Sequence, residues 1–477
     1  MFDRNVFPRR LLSALLCPVL LAGCAVGPDY RRASEPPVTL SQAVSPALYA
    51  SDRLQQDWWR QFQDPQLDAL IERALAANHD IRLAQARLLE ARAVLDERQL
   101  DRLPTVTAGA AYSRSLAQDN PGPAGERNLA QSYRGGLDVQ WELDLFGRLQ
   151  RLSEAAAARG EAAADDLAQA RILVTAEVAS QYFQWYGAQR QLAVARASLE
   201  NQDASVAVVQ SLVGNGRGSP DELASALALR ARTQATLPPL ETRRDLARYR
   251  LAVLVGVRPD QLQALDQAPA LAPLVARLPL GDIGDLLRRR PDVASAERAL
   301  AAANADVGAI TAELYPRIDL GGFLGFVALR GGDWGDGASR AFSVLPSASW
   351  PALHLASVKA RQRAAEARHL GAQARYEQVA LRAIEETEAA LTTYSQSQQR
   401  LRALADAAGQ SARASALAGI RYQAGRAPYL VQLDAQRTLL DAQDALAQAD
   451  TASYLDVVAL YKALGGGWQS VPALTAN

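Results

Sequence analysis

The sequence contains almost nothing from which a reactive centre could be assembled. It has three histidines and two cysteines in 477 residues, which leaves little material for a metal site and no basis for a disulfide framework. His79, His354 and His369 are scattered, and neither an HExxH pair nor a nucleophile motif accompanies them. No catalytic, cofactor-binding or metal-ligating residue can therefore be named. Neither sign of charge is in excess, with 51 Lys and Arg against 51 Asp and Glu. That balance argues against a basic field for nucleic acid and against an acidic solvating tail. No run of about 20 apolar residues follows the N-terminus, so no transmembrane helix is expected. The glycines at 214, 216 and 218 lack the Lys-Ser/Thr pair and the preceding strand of a phosphate loop, so no bound nucleotide is expected.

What is present begins with a processing signal. Arg4, Arg9 and Arg10 form a positive segment ahead of an apolar run, Leu11 to Leu21, that Pro18 breaks and that is too short to span a bilayer. Leu21-Ala22-Gly23-Cys24 follows and resembles a bacterial lipobox, in which the thiol accepts diacylglycerol and the chain is cut before the cysteine. The small residues at 22 and 23 suit entry into a peptidase groove. Residues 1–23 are thus expected to be a signal peptide, Cys24 the lipidation site, and 24–66 a lipidated extended segment. Ala25, where an inner-membrane lipoprotein would carry Asp, favours the outer membrane. A single lipid anchor holds weakly, so a second membrane contact is expected elsewhere in the chain.

The sequence repeats itself once. "NHDIRLAQARLLEA" from Asn78 matches "RPDVASAERALAAA" from Arg290, and Pro104 matches Pro316, at an offset of 212. Trp141 matches Trp350, Gly216 matches Gly425 and Gly256 matches Gly465, at an offset of 209. The change of three lies between the proline and the tryptophan, which puts an insertion in an exposed loop there. The first repeat is read as 67–256, with a helix over 67–103, a hairpin over 104–144, a long helix over 148–213 and a helix over 219–255. The second is read as 281–466, with a helix over 282–314, a hairpin over 316–350, a long helix over 355–424 and a helix over 428–464. Residues 257–280 form a linker and 467–477 a tail. The long stretches are proline-free and rich in Ala, Leu, Arg, Gln and Glu. Each would run roughly 100 Å as a helix. Leu433, Leu440, Ala447, Tyr454 and Tyr461 recur at the coiled-coil interval, so the helices alone also fit a plain rod or bundle. The segments "GNGRGSPDEL" and "RYQAGRAPYL" read as tight turns between antiparallel helices. Pro238-Pro239 has no counterpart at Ala447-Gln448 and is expected to kink or break its helix.

The hairpin segments alternate. Leu137, Val139, Trp141 and Leu143 share one face, against Asp138, Gln140, Glu142 and Asp144 on the other. Val106, Ala108, Ala110 and Tyr112 do the same, as do Phe342, Val344, Pro346, Ala348 and Trp350. Strands of roughly 9 to 12 residues suit a tilted membrane span, and Leu137, Val139, Trp141, Phe342, Val344 and Trp350 are the candidate lipid-facing and girdle residues. A soluble sheet packed on helices would alternate in the same way. If the strands do span a membrane, four cannot close a barrel, and open edges are not tolerated in lipid. Closed symmetry would resolve this with three copies, giving twelve strands and a tube of twelve helices.

The motifs "GCAVGPDYRR" (23–32), "WWRQFQDPQLDALIERALAANHDI" (58–81), "WELDLFGR" (141–148), "RYQAGRAPYLVQLDAQR" (421–437) and "YKALGGGW" (461–468) together resemble the outer-membrane efflux proteins of the TolC/OprM type, in their lipoprotein branch. The resemblance covers nearly the whole chain. It implies a mainly α fold with a membrane β-barrel and a homotrimer with a helical tunnel through the periplasm of a Gram-negative bacterium. It also implies a passive exit duct, not an enzyme, docked onto a periplasmic adaptor and an inner-membrane pump of the resistance-nodulation-division class. By the same resemblance, Gly216, Arg217, Gly218, Ser219, Gly425, Arg426 and Pro428 form the adaptor-contacting tip, and Asp203, Asp221 and Glu222 are candidate entrance acids. Ala427-Pro428 departs from the Ser219 position, so the two turns need not be equivalent. Type I protein secretion through the same fold, and a non-channel coiled-coil lipoprotein of the envelope, are the alternatives.

Overall fold

A computed structural model describes residues 25–32, 48–50, 56–118, 127–262, 265, 277–280 and 285–466. The expected signal peptide, Cys24, most of the 257–280 linker and the 467–477 tail lie outside the described residues. The first half of the chain contains β1 (Tyr49–Ala50), α1 (Pro65–Ala77), α2 (His79–Leu100), β2 (Thr105–Gln118), β3 (Arg127–Leu143), α3 (Arg148–Gly214) and α4 (Pro220–Leu254). The second contains β4 (Leu278–Pro279), α5 (Leu286–Arg289), α6 (Pro291–Ala312), β5 (Arg317–Ala328), β6 (Arg340–Ser349), α7 (Leu355–Gln423) and α8 (Tyr429–Ala463). Two compact units result: Met1–Ser34 with Arg87–Ala163 and Ser295–Glu377, and Glu35–Ala86 with Ala164–Ala294 and Gln378–Asn477. Each draws on both sequence repeats.

The first unit contains one antiparallel sheet in the order β2-β3-β5-β6. Its two hairpins join along β3 and β5, where Leu137 faces Leu324 and Gly136 faces Gly325. The strands of the first hairpin are longer, 14 and 17 residues against 12 and 10. The second hairpin is closed by two short 3₁₀ turns, Gly331–Asp333 and Gly337–Ser339.

The second unit has an aromatic core. The 3₁₀ helix Trp58–Phe62 inserts Trp58, Trp59 and Phe62 among α3 and α8 side chains. Trp58 stacks on Tyr461 with ring centroids 5.1 Å apart, Phe62 meets Phe183 at 4.7 Å, and Phe183 stacks on Tyr454 at 5.1 Å. The segment read as extended thus contains a helical turn. It also contains β1, which pairs in parallel with β4 (Tyr49 with Leu278, Ala50 with Pro279). Asp64 caps α1 by accepting from the Gln66 and Leu67 backbone N–H groups at 2.9 and 3.4 Å, and Tyr182 donates its hydroxyl to the same buried carboxylate.

Two expected helices are each divided. The helix read over 67–103 breaks at Asn78 into α1 and α2, and the one read over 282–314 breaks at Arg290 into α5 and α6. Asn78 and Arg290 are repeat mates, and they do the same work. Asn78 donates its side-chain amide to the Leu254 carbonyl at 2.9 Å. Arg290 donates its guanidinium to the Ala463 carbonyl at 3.0 Å. Leu254 and Ala463 are the last residues of α4 and α8, and such terminal carbonyls lack a partner inside the helix. Each break therefore satisfies a second helix at its C-terminus. Asn78 also caps α2, accepting from the Asp80 and Ile81 backbone N–H groups.

Pro238-Pro239 does not break α4, which is continuous from Pro220 to Leu254. Leu237 and Leu240 flank the pair and pack on Leu192 and Ala195 of α3. Thr233, Thr236 and Thr242 donate their hydroxyls to the carbonyls of Leu229, Thr233 and Pro238. Tertiary packing here overrides the local penalty of about 3 kcal/mol for an internal proline.

Candidate channel wall and helix turns

Strand register assigns every residue of the sheet to a face. One face carries rows such as Ala108, Leu137, Leu324 and Phe342, and next to it Val106, Val139, Gly322 and Val344. Trp141 lies on this face, and Trp350 follows β6 at the same end. Phe342 is 81% exposed and Val344 68%, so the face is an uncovered apolar surface of the isolated chain. At its helix-proximal end the Trp141 indole N–H donates to the Arg102 carbonyl and that of Trp350 to the Leu314 carbonyl, both at 3.0 Å. An amphipathic ring with its polar edge tied down is suited to a membrane boundary. Toward the loop end, Tyr112 meets Tyr133 at 4.8 Å and Phe326 meets Trp334 at 6.1 Å. Sequence reading did not identify this second aromatic band, because Trp334 sits in a loop and Tyr133 in a segment of mixed polarity.

The opposite face is polar: Thr105, Thr107, Ser113 and Ser115 on β2, Arg134, Asp138 and Gln140 on β3, and Ser343, Ser347 and Ser349 on β6. Arg134 grips Asp138 with both guanidinium NH₂ groups and lies 3.9 Å above the centre of the Phe323 ring. Phe323 fits there because Gly136 and Gly325 beneath it have no side chains; a Cβ at either would stand within 3 Å of the ring. At the base, Glu142 accepts two bonds from Arg148, at 2.8 and 2.6 Å, and pairs with Arg317 at 3.1 Å. Arg317 also pairs with Asp319 at 2.9 Å, so two carboxylates balance two guanidiniums, with Arg148 bidentate on Glu142.

Residues 25–32 are built into the first unit. The Val26 N–H donates to the Phe146 carbonyl, Asn304 donates to the Pro28 carbonyl, and the Tyr30 hydroxyl donates to Glu297. Arg151, which is nearly buried, reaches Asp29 at 2.6 Å, and this hydrogen bond holds the Asp29 carboxyl below the usual carboxylate range. Ala25 sits against Gly147, where a Cβ would stand 2.7 Å from the Ala25 Cα.

The two turns lie in the second unit and share one design. Gly216 and Gly425 both have φ +66°. The next N–H reaches back five residues: Arg217 to the Leu212 carbonyl and Arg426 to the Arg421 carbonyl, each at 2.8 Å. This is the Schellman termination, which requires a left-handed residue that only glycine adopts cheaply. After the first turn Ser219 starts α4, and its N–H donates to the Glu222 carboxylate at 3.4 Å, the return arm of a capping box. After the second turn Pro428 takes that place and supplies no side-chain cap. Tyr429 follows and is buried with Val209 and Ala226, where burial and the neighbouring Tyr422 push its phenol above the ordinary range. The two turns are thus inequivalent: one is capped by charge, the other anchored by an aromatic. Arg217, Arg426, Gly216, Gly425 and Pro428 are exposed. Leu417, Ile420, Leu430 and Val431 are exposed near the second turn, an apolar cluster that the sequence reading did not single out.

The three acids are not alike. Asp203 is ion-paired with Arg230, Glu222 is engaged at the start of α4, and Asp221 stands exposed in the same first turn.

The sequence matches the outer membrane efflux protein family over residues 70–257 and 283–466. It is 31% identical to the outer membrane protein OprJ of Pseudomonas aeruginosa, over 98% of each chain. The structure is similar to that of the outer-membrane channel OprN, with a TM-score of 0.90, 44% identity, and coverage of 93% of this chain and 100% of that one. It is also similar to the open state of the MtrE outer membrane channel of Neisseria gonorrhoeae, with a TM-score of 0.82, 30% identity, and coverage of 93% and 98%. The chain therefore belongs to the outer membrane efflux protein family, as a Gram-negative outer-membrane efflux channel whose four strands per copy form one third of a twelve-stranded barrel and whose long helices contribute to a tube of twelve.

Proposed function

We propose that the chain is the passive exit duct of a three-part pump. Its homotrimer docks through the helix turns onto a periplasmic adaptor and receives solute from an inner-membrane transporter of the resistance-nodulation-division class. The observation that carries this reading is the four-stranded sheet, which has one uncovered apolar face, one polar face, and its outer edges at β2 and β6. Such edges are sustainable in lipid only when another copy continues the ladder. Leu137, Val139, Phe342 and Val344 then face lipid, Trp141 and Trp350 form the inner girdle, and the polar face lines the lumen. Catalysis and a cofactor have no role, because a water-filled duct only removes the barrier of the outer bilayer. Cys24 carries the covalent lipid, and the fixed course of residues 25–32 beside Gly147 would hold that lipid near the base of the barrel.

Gly216, Arg217, Gly218, Ser219, Gly425, Arg426 and Pro428 make the adaptor contact, supported by the exposed backbone of both turns and the apolar cluster beside the second. Purified trimer is expected to give discrete single-channel currents in planar bilayers and to co-purify with an adaptor and a proton-driven pump. An electrically silent monomer sinks the proposal. Recovery with an ATP-driven exporter instead points to protein secretion.

The pairing of Asp203 with Arg230 leaves Asp221 and Glu222 as the sources of entrance field, Asp221 being the more exposed of the two. Asp221→Asn is expected to lower cation selectivity, read as a reversal potential under a KCl gradient. Asp203→Asn, which releases Arg230, is expected to shift selectivity in the same direction. Unchanged potentials in both variants mean that these acids only solvate a helix face.

A further inference from the structure

The apolar face of the sheet carries a charge pattern that conduction does not require. Among the described strand residues on that face there is no Asp or Glu, and the ionisable groups apart from tyrosines are Arg127, at the outer start of β3, and, nearer the tryptophans, the pair Arg114 on β2 and Arg340 on β6. Both side chains are exposed.

Their level follows from the register. Arg114 faces Gln131 across the β2–β3 ladder, and Gln131 lies ten residues before Trp141 along β3. Arg340 lies ten residues before Trp350. Ten residues of strand cover about 33 Å, or about 25 Å of height at the usual barrel tilt of about 40°, which is the height of the apolar band of an outer-membrane barrel. Gln131 and Arg340 are also repeat mates, at the offset of 209 that relates the two tryptophans. Each hairpin therefore places one arginine at the same height, where the hydrocarbon ends on the loop side. The Tyr112–Tyr133 and Phe326–Trp334 pairs lie at this level.

We infer that Arg114 and Arg340 bind the phosphorylated headgroup of the outer-leaflet glycolipid. The inference rests on the lipid-facing reading of this face. The two arginines lie on the two edge strands, so closure of the ring brings β6 of one copy beside β2 of the next. Each of the three seams then carries one arginine from either copy. A planar guanidinium binds phosphate oxygens in bidentate fashion, and the aromatic pairs seat the glycan and upper acyl region. The lipid would thereby bridge two copies at a ladder within one chain's reach of its neighbour.

The test uses full-length trimer in detergent micelles, incubated with bis-phosphorylated lipid A or with lipid A from which both phosphates have been removed, and analysed by native mass spectrometry. The wild type is expected to retain the phosphorylated form in preference to the other, and Arg114→Gln/Arg340→Gln is expected to bind it roughly thirtyfold more weakly. Arg114→Lys/Arg340→Lys, which keeps the charge but not the planar fork, is expected to fall between the wild type and the glutamine variant. Equal retention of the two lipids by the wild type overturns the inference without reference to any variant. So does loss of the preference on adding inorganic phosphate at a concentration matched to the lipid, which shows a site for free phosphate. A nitroxide on Leu324→Cys in liposomes checks the underlying reading separately. Collisional access to oxygen and not to a nickel chelate places the face in lipid, and the reverse overturns the face assignment itself, and with it the inference.

Discussion

Trp58→Ala is expected to destabilise the protein by about 3–5 kcal/mol, the usual cost of removing a buried large aromatic. Trp58 is 1% exposed. Its ring lies nearly parallel to Tyr461, at 8°, and edge-on to Trp59 and Phe62. Its carbonyl accepts a hydrogen bond from the Gln61 side chain at 2.8 Å. Removing the indole strips the partner from Tyr461 and loosens the turn that presents Phe62 to Phe183 and Tyr454. The loss is a large share of the roughly 5–15 kcal/mol by which folded domains are stable. Denaturant unfolding followed by near-ultraviolet circular dichroism should show an earlier midpoint, and Trp58→Phe, which keeps a ring in place, should lose markedly less. A midpoint unchanged in Trp58→Ala would show that the cluster does not anchor α8.

Gly136→Val is expected to abolish channel assembly. Gly136 and Gly325 face each other on the two strands that join the hairpins. A Cβ at Gly136 would stand 2.5 Å from the Leu324 carbonyl oxygen, 2.7 Å from the Gly325 Cα and 2.8 Å from the Phe323 ring. Two of these obstacles are backbone and the third is a nearly buried ring held under Arg134, so none can yield cheaply. Overpacking alone costs about 1–3 kcal/mol, and opening this ladder in lipid adds several kcal/mol for each polar group left unpaired. Heat-resistant trimer on a gel and conductance in planar bilayers should both disappear. Gly109→Ala on the same polar face is the control, because the nearest atom to its Cβ is the Asp138 carboxylate at 3.7 Å. If Gly136→Val conducts as the wild type does, the β3–β5 junction is not the constraint described.

Much of the architecture was legible because its signals are local. Proline-free, alanine-rich stretches predict long helices whatever surrounds them. A strand with Leu137, Val139 and Trp141 on one side and Asp138, Gln140 and Glu142 on the other announces its faces through a period of two. Glycines at matched positions in both repeats mark where helices must stop, because the left-handed φ is a property of the residue itself. The inequivalence of the two turns could be anticipated from Pro428 in place of Ser219, although the burial of Tyr429 that replaces the cap could not.

Partnership across the chain was not legible. Asn78 and Arg290 read as ordinary positions within a helix, and only the folded chain brings them to the carbonyls of Leu254 and Ala463, more than 170 residues away. Pro238-Pro239 read as a kink or a break because local energetics favour one, and the helix runs on unbroken through the pair, which packs on Leu192 and Ala195 through its flanking leucines. Asp203 and Glu222 looked like free entrance charges until Arg230 and the Ser219 N–H were found beside them. By itself, then, the sequence determined the repeat, the type and length of most elements, and which strand face is apolar, since each depends on neighbours within a few residues. The tertiary structure alone decided which strands join, which charges are neutralised, and where helices divide, because those outcomes depend on groups that only folding brings into contact.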